Sequence, residues 1–355
     1  MSTAVLETRP EARPSVGSTQ RERWADTAKG ACILLVVLWH VIVKHYLQIN
    51  WHLPVPIPGA WGTLGDQLLP LRMPLFFTIS GMFAAGAVLR PWRVVARTRV
   101  AKFLYLYVLW LAVHTTVLAL VPGFETARAH DAVEFVEQLT ITPSNLWYLF
   151  ALALYFVVAK LTRGVPKAVM LALALALSTV TAAGWLATPG DRGGLMQNLV
   201  FFLGGLYFRP AYEHLAATAN RRRVGLFGSA YAMMLLIMAV LGAQRWPGVW
   251  PVISVGATVF GVTAAAQVAK SDLVARALSG LGRRTLPEYV MHMPVLAVLH
   301  GLLIGPLSAH IGDQPLLAIV EPVSMTGLVV AICLLVHRGL ARAGWLFDLP
   351  RALRR

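Results

Sequence analysis

Lys29 and His40 stand eleven residues apart in a segment that is otherwise almost wholly apolar. At 100° per residue, eleven steps make three turns plus about 20°, so an α-helix projects both side chains from one face. The rise between them is roughly 16 Å, which sets a cation near one membrane surface and an imidazole near mid-depth. Asp26 lies one turn before Lys29 on the same face, where it pairs with the lysine or caps the helix. Neutral imidazole titrates near working pH and can take a proton from a hydroxyl. The stripe predicts a polar cavity entered beside Lys29, with His40 at its depth. The plain alternative for Lys29, an anchor at the interface, stays open at this point.

Ionisable groups at membrane depth are costly, so each is a functional candidate. Arg72 opens the segment Leu71-Arg-Met-Pro-Leu-Phe-Phe-Thr-Ile-Ser80-Gly81 and is either a substrate-side cation or a partner of Asp66. The Pro74 and Ser80-Gly81 pair permits a kink and a close helix approach. Five cations follow in thirteen residues, Arg90, Arg93, Arg97, Arg99 and Lys102. They either report topology or bind a polyanion, for which arginine offers bidentate contacts. His292 has Glu288 one turn before it and lines the cavity or packs on Tyr289. Glu321 precedes Pro322 near a helix end and is a candidate for the acceptor side. The remaining histidines, among them His45 and His300, lie near helix ends or loops and carry no expected role.

These residues need elements to hold them, and the composition says which. The chain has 355 residues, 57% hydrophobic and 13% charged, with mean hydropathy +0.65. Ordinary soluble domains carry about twice that share of charge, so a large soluble domain is excluded. Ten apolar spans are expected near 28–46, 67–89, 103–121, 145–160, 168–187, 195–208, 224–242, 249–269, 286–305 and 316–337. They should be helices, because lipid tolerates only helices or closed barrels, and no period-two alternation marks a barrel. The fold class expected is all-α, a polytopic membrane protein.

Of 31 Lys and Arg residues, 26 fall in the segments that alternate to one side, which places both termini in the cytoplasm by the positive-inside rule. The excess of +15 therefore reports topology in a cell membrane and not nucleic-acid binding. Residues 1–22 are expected to be a disordered cytoplasmic tail, 23–340 a transmembrane domain and 341–355 a basic cytoplasmic tail. Cys32 and Cys333 lie within apolar spans as small fillers. No metal-ligating cluster is expected.

Several blocks in order carry a resemblance: Arg23-Trp-Ala-Asp26-Thr-Ala-Lys29-Gly30 running to Leu38-Trp39-His40, then Met73-Pro-Leu-Phe-Phe77 with Ser80-Gly81. Arg99-Val-Ala-Lys102, Asn145-Leu-Trp147-Tyr148-Leu149 and Tyr289-Val-Met-His292-Met-Pro294 complete the set. Together these blocks resemble the acyltransferase-3 family of membrane O-acyltransferases, closest to its fucose 4-O-acetylase-like group. The family's basic residue and histidine map onto Lys29 and His40, and its Arg-x-x-Arg onto Arg99-x-x-Lys102. Lysine stands at both departures, which weakens the bidentate contact an arginine would make.

The resemblance implies acyl transfer from acyl-CoA, with acetyl-CoA the expected co-substrate and no tightly bound cofactor. It assigns His40, Lys29 and Asp26 to catalysis and Lys29, Arg97, Arg99 and Lys102 to the CoA polyanion. Arg72, Ser80, Trp147, Tyr289, His292 and Glu321 are then candidates for the acceptor, a sugar or lipid-linked glycan in contact with membrane lipids. The rival reading is a secondary transporter or flippase with a proton relay through His40 and Glu321.

Overall fold

In the computed structural model, residues 16–350 are described, except 143, 189, 191 and 311. No strand occurs among them; the chain is a set of helices. In order these are α1 (Val16–Lys44), α2 (Ile57–Gln67), α3 (Leu69–Val88), α4 (Trp92–Val95), α5 (Lys102–Ala119), α6 (Ala132–Thr140), α7 (Trp147–Leu161) and α8 (Lys167–Ala182). Then follow α9 (Arg192–Tyr207), α10 (Arg209–Ala217), α11 (Arg221–Val240), α12 (Val249–Val268), α13 (Asp272–Gly282), α14 (Thr285–His310) and α15 (Pro315–Gly339).

Each of the ten apolar spans is a helix: α1, α3, α5, α7, α8, α9, α11, α12, α14 and α15. By length and composition, seven helical stretches suffice to cross a membrane. The other three, α7, α8 and α9, have 15, 16 and 16 residues. At 1.5 Å per residue they reach only about 23 Å, short of a ~30 Å hydrocarbon layer. The expected tail lies outside the described residues over 1–15, and from Val16 the chain is already helical as part of α1. At the other end, residues 351–355 lie outside the described residues, while Asp348 returns to pair with Lys102 at 3.0 Å.

Hydropathy did not reveal α2, α6, α10 and α13, which have between 9 and 11 residues. They are too short for a spanning window. Ties between connecting segments join pairs that the charge pattern assigns to one face. Arg23 meets Asp272, and Lys160 donates to the carbonyl of Arg90, on the face rich in cations. On the opposite face the His52 amide donates to the Gly312 carbonyl, and Arg192 to the carbonyls of Thr140 and Ile141.

Two helix pairs set the frame by reciprocal glycine contacts. A Cβ at Gly81 of α3 would collide with the Phe202 carbonyl of α9, and one at Gly205 of α9 with the Thr78 carbonyl. Gly30 of α1 lies likewise on the Leu278 carbonyl, and Gly282 of α13 on that of Asp26. Small residues let backbones approach where lipid supplies no hydrophobic drive for association. α1 packs against α3, α12, α13, α14 and α15, and so stands at the centre of the bundle. α11 is mostly exposed, with Leu226, Met233, Leu236 and Val240 on a surface fit for lipid.

Candidate functional site

Lys29 and His40 project from one side of α1 into two cavities stacked along the helix. Lys29 Nζ meets Asp26 Oδ1 at 2.8 Å and lies 4.9 Å from the Phe83 ring centroid. Lys29, Arg99 and Lys102 line a cavity of about 490 Å³ together with Phe76, Ser80, Phe156 and Tyr289. Arg97 stands apart, in an adjoining cavity of about 320 Å³ that shares Arg99 and Lys102 and is also lined by Asp348. Residues Ala96–Ala101, which carry Arg97 and Arg99, wind as a π-helix between α4 and α5. Such local widening often re-aims side chains at functional sites.

His40 lines the second cavity, of about 380 Å³, with Trp39, Arg72, Asn145, Trp147, Asn198 and Tyr289 on its wall. The protonation pattern around it follows by elimination. His292 Nδ1 lies 2.7 Å from the Tyr289 carbonyl, which can only accept, so in the neutral ring Nδ1 carries the hydrogen and Nε2 is bare. That bare Nε2 lies 3.2 Å from His40 Nδ1, which also lies 2.9 Å from the Val36 carbonyl. His40 Nδ1 must then be the donor to both. His40 Nε2 is left unprotonated, with no protein partner and not sealed from the cavity. That is the form a general base requires.

Tyr289 belongs to the walls of both cavities. Its hydroxyl donates to the Asn145 carbonyl at 2.8 Å and accepts from the Tyr148 amide at 3.2 Å. The start of α7 is thereby held beside a residue only four positions into α14, well inside the bundle. This accounts for the shortness of α7: its first turn begins at depth rather than at a surface. Two features that the sequence reading separated, the Asn145-to-Leu149 block and the α14 block, meet there.

Two of the acceptor-side candidates, Ser80 and Glu321, do not line the cavity of His40, whereas Arg72 does. Ser80 is in the cavity of Lys29, its Oγ 2.7 Å from the Tyr148 hydroxyl, not in that of His40. Arg72 makes no ion pair with Asp66; its Nη1 donates to the Gly65 carbonyl at 3.0 Å and its guanidinium lies 4.5 Å over Trp39. Glu321 is buried away from His40, with Oε1 3.2 Å from His45 Nε2, while His45 Nδ1 lies 3.1 Å from His300 Nδ1. His45 is five residues beyond His40, about 140° round the helix, so the two histidines face different neighbours. His40 and Glu321, the pair named in the transporter reading, have different partners in the bundle, His292 and His45.

Sequence reasoning missed Tyr148, Asn198, Trp250 and Lys44. Asn198 carried a readable signal, a lone amide inside an apolar span; its Nδ2 donates to Gly194 and its Oδ1 is unpartnered. Trp39 and Trp250 also leave their indole N–H groups without a partner. The cavity of His40 is thus walled by aromatic rings, with these three unpaired polar atoms buried among its lining residues.

The acyltransferase-3 model, described as an acyltransferase domain, matches residues 22–338. The chain belongs to the acyltransferase-3 family. Among curated relatives in this family, it is similar to inner membrane protein YcfT of Escherichia coli (strain K12), 26% identical over 245 residues, covering 64% of this chain and 65% of that one. It is also similar to nodulation protein NolL of Sinorhizobium fredii (strain NBRC 101917 / NGR234), 26% identical over 241 residues, covering 65% of this chain and 61% of NolL. The match thus spans just under two thirds of either relative. No solved structure gives a significant match. Within the acyltransferase-3 region lie both cavities, His40 and the His292 contact.

Proposed function

We propose that this protein is a membrane O-acyltransferase that moves an acyl group, most simply acetyl, from cytosolic acyl-CoA to a hydroxyl of a cell-envelope sugar or lipid-linked glycan. One observation carries the reading: a cation-lined cavity and a cavity holding an unprotonated His40 nitrogen share Tyr289 as a common wall. With the basic face inside, the first opens to the cytosol, where CoA is, and the second to the outside, where envelope acceptors are.

In this reading Lys29, Arg99 and Lys102 hold the CoA phosphates, and the narrow pantetheine arm brings the thioester toward Tyr289. His40 Nε2 takes the hydroxyl proton as the acceptor oxygen attacks the thioester carbonyl. Collapse of the tetrahedral adduct breaks the C–S bond, forms the ester and expels the CoA thiolate, which recovers the proton from His40. The hydrogen bond from His40 Nδ1 to His292 supports the transient imidazolium. No Ser or Cys nucleophile is required, and His40 does not itself carry the acyl group.

Mass spectrometry of envelope glycans and lipids from cells with and without the gene tests the reading. A mass difference of one acyl group is expected, absent again with His40→Ala at equal membrane abundance. Purified protein that neither binds nor cleaves acyl-CoA yet moves a glycan across vesicles would sink it.

A further inference from the structure

The cavity of His40 is bordered by two cations and no carboxylate. Arg72 is 3% exposed, yet its guanidinium is held only by the Gly65 carbonyl and the Trp39 face. Lys44, in the last turn of α1, lines the same wall. Among the described residues neither makes an ion pair, and no Asp or Glu lines the cavity. Asp66 attracts Arg72 only from beyond pairing distance. A buried cation without a counter-charge is expensive, and at membrane depth such groups face a cavity or a partner. Four of the five N–H groups of Arg72 remain for a ligand.

Val43 and Lys44 also border a groove of about 790 Å³ running past Leu120, Val298 and Leu302. These three side chains are exposed on the outer surface of the bundle. Glu125 and His300 stand on this groove as well, so its polarity is mixed at the end of the connecting segment. A chain leaving the cavity beside Lys44 would pass directly onto this track.

We propose that Arg72 and Lys44 form an anion subsite that binds a phosphate ester group of the acceptor while its hydroxyl reaches His40. The proposal rests on the acyltransferase reading for the hydroxyl's fate, but not for the binding itself. An arginine fork over an aromatic ring, with a lysine beside it, matches the non-bridging oxygens of a tetrahedral phosphate ester. The groove then accommodates a hydrocarbon chain if the phosphate is lipid-borne, and stays idle if the ester is free.

The test uses the full-length protein in nanodiscs of zwitterionic lipid, with thermal stability as the readout. Dodecyl phosphate, inorganic phosphate and dodecanol are the probes. Dodecyl phosphate should raise Tm and dodecanol should not. Comparable stabilisation by inorganic phosphate assigns a free anion, whereas its weakness assigns a lipid-borne one. Lys44→Gln and Arg72→Gln should each weaken the dodecyl phosphate response about tenfold, since charge-assisted bonds are lost. Arg72→Lys, which keeps the charge but not the fork, should give an intermediate loss and guards against a folding artefact. Arg222→Gln, an exposed cation at the start of α11, should change nothing. Equal stabilisation by dodecanol, or unchanged responses in both Lys44 and Arg72 variants, overturns the subsite. Binding and cleavage of acetyl-CoA on the same nanodiscs report separately: the absence of both beside intact phosphate binding defeats the enzyme reading and leaves the subsite standing.

Discussion

His292 Nε2 lies 3.2 Å from His40 Nδ1, a contact between residues 252 positions apart in the chain. With Tyr289 holding the other nitrogen of His292 through its carbonyl, the pair leaves one bare nitrogen, Nε2 of His40, on the cavity wall.

Replacing His40 by Ala should lower kcat for acyl transfer by roughly 10²–10⁴-fold, the usual contribution of a positioned base. The apparent KM for acyl-CoA should change little, because the cation-lined cavity is untouched. Steady-state kinetics on purified protein of equal thermal stability decide this, and full retained activity removes His40 from the chemistry.

In the proposed mechanism His292 is a positioning residue for His40. His292→Phe deletes one of the two acceptors for the His40 Nδ1 hydrogen, leaving the Val36 carbonyl, and should reduce kcat about tenfold, the scale of one lost hydrogen bond to a charged group, with KM held. His292→Gln keeps an acceptor oxygen and should restore part of the loss. A merely structural role would lower both variants alike, in step with their stability.

Lys29→Gln should raise the apparent KM for acyl-CoA about tenfold while kcat is maintained, since it removes binding shared by ground and transition states. Asp26→Asn frees Lys29 from its 2.8 Å partner and should move KM the other way or leave it. An unchanged KM in Lys29→Gln counts against contact with the CoA phosphates.

Gly81→Ala and Gly205→Ala each force a methyl into the facing backbone, so membrane abundance and Tm should fall, with a cost of about 1–3 kcal/mol or more. Gly86, on the same helix with open space around it, is the contrast: Gly86→Ala should stabilise by about 0.5–1 kcal/mol. Thermal melts in detergent compare the three. Equal effects at Gly81 and Gly86 would falsify the close-crossing account.

Outside the bundle, the Glu134 carboxyl is held below its ordinary value of 4.5 by the backbone N–H of His130, then by its ring. The sign follows: a lowered carboxylate contributes above its unfolded value and the contribution is lost as pH falls through the lower folded one. The contacts of the Glu134 carboxylate with the His130 amide and ring, at 2.7 and 2.8 Å, should therefore loosen only below about pH 4.5. Hydrogen exchange at the His130 amide measures it, and loosening that starts at neutral pH would contradict the pairing.

The helical period by itself put Lys29 and His40 on one stripe, and hydropathy by itself located ten helices, because lipid leaves a backbone no other way to satisfy its polar groups. Charge sorted the connecting segments into two sets, and the ties between them respect that sorting. Which neighbour a stripe faces is another matter. Periodicity orders residues around one helix and carries no information about the helix across the interface, so the His40–His292 contact, the bridging position of Tyr289 and the seat of Ser80 beside Lys29 appear only when α1, α3, α7 and α14 are packed. Glu321 shows the same limit from the other side: its depth was readable, but its partner, His45, was decided by how α15 docks on α1. The short helices escaped because fewer than a dozen residues leave no spanning hydropathy signal. α7 begins at depth for a tertiary reason too, since the Tyr289 hydroxyl and not the bilayer surface holds its first turn.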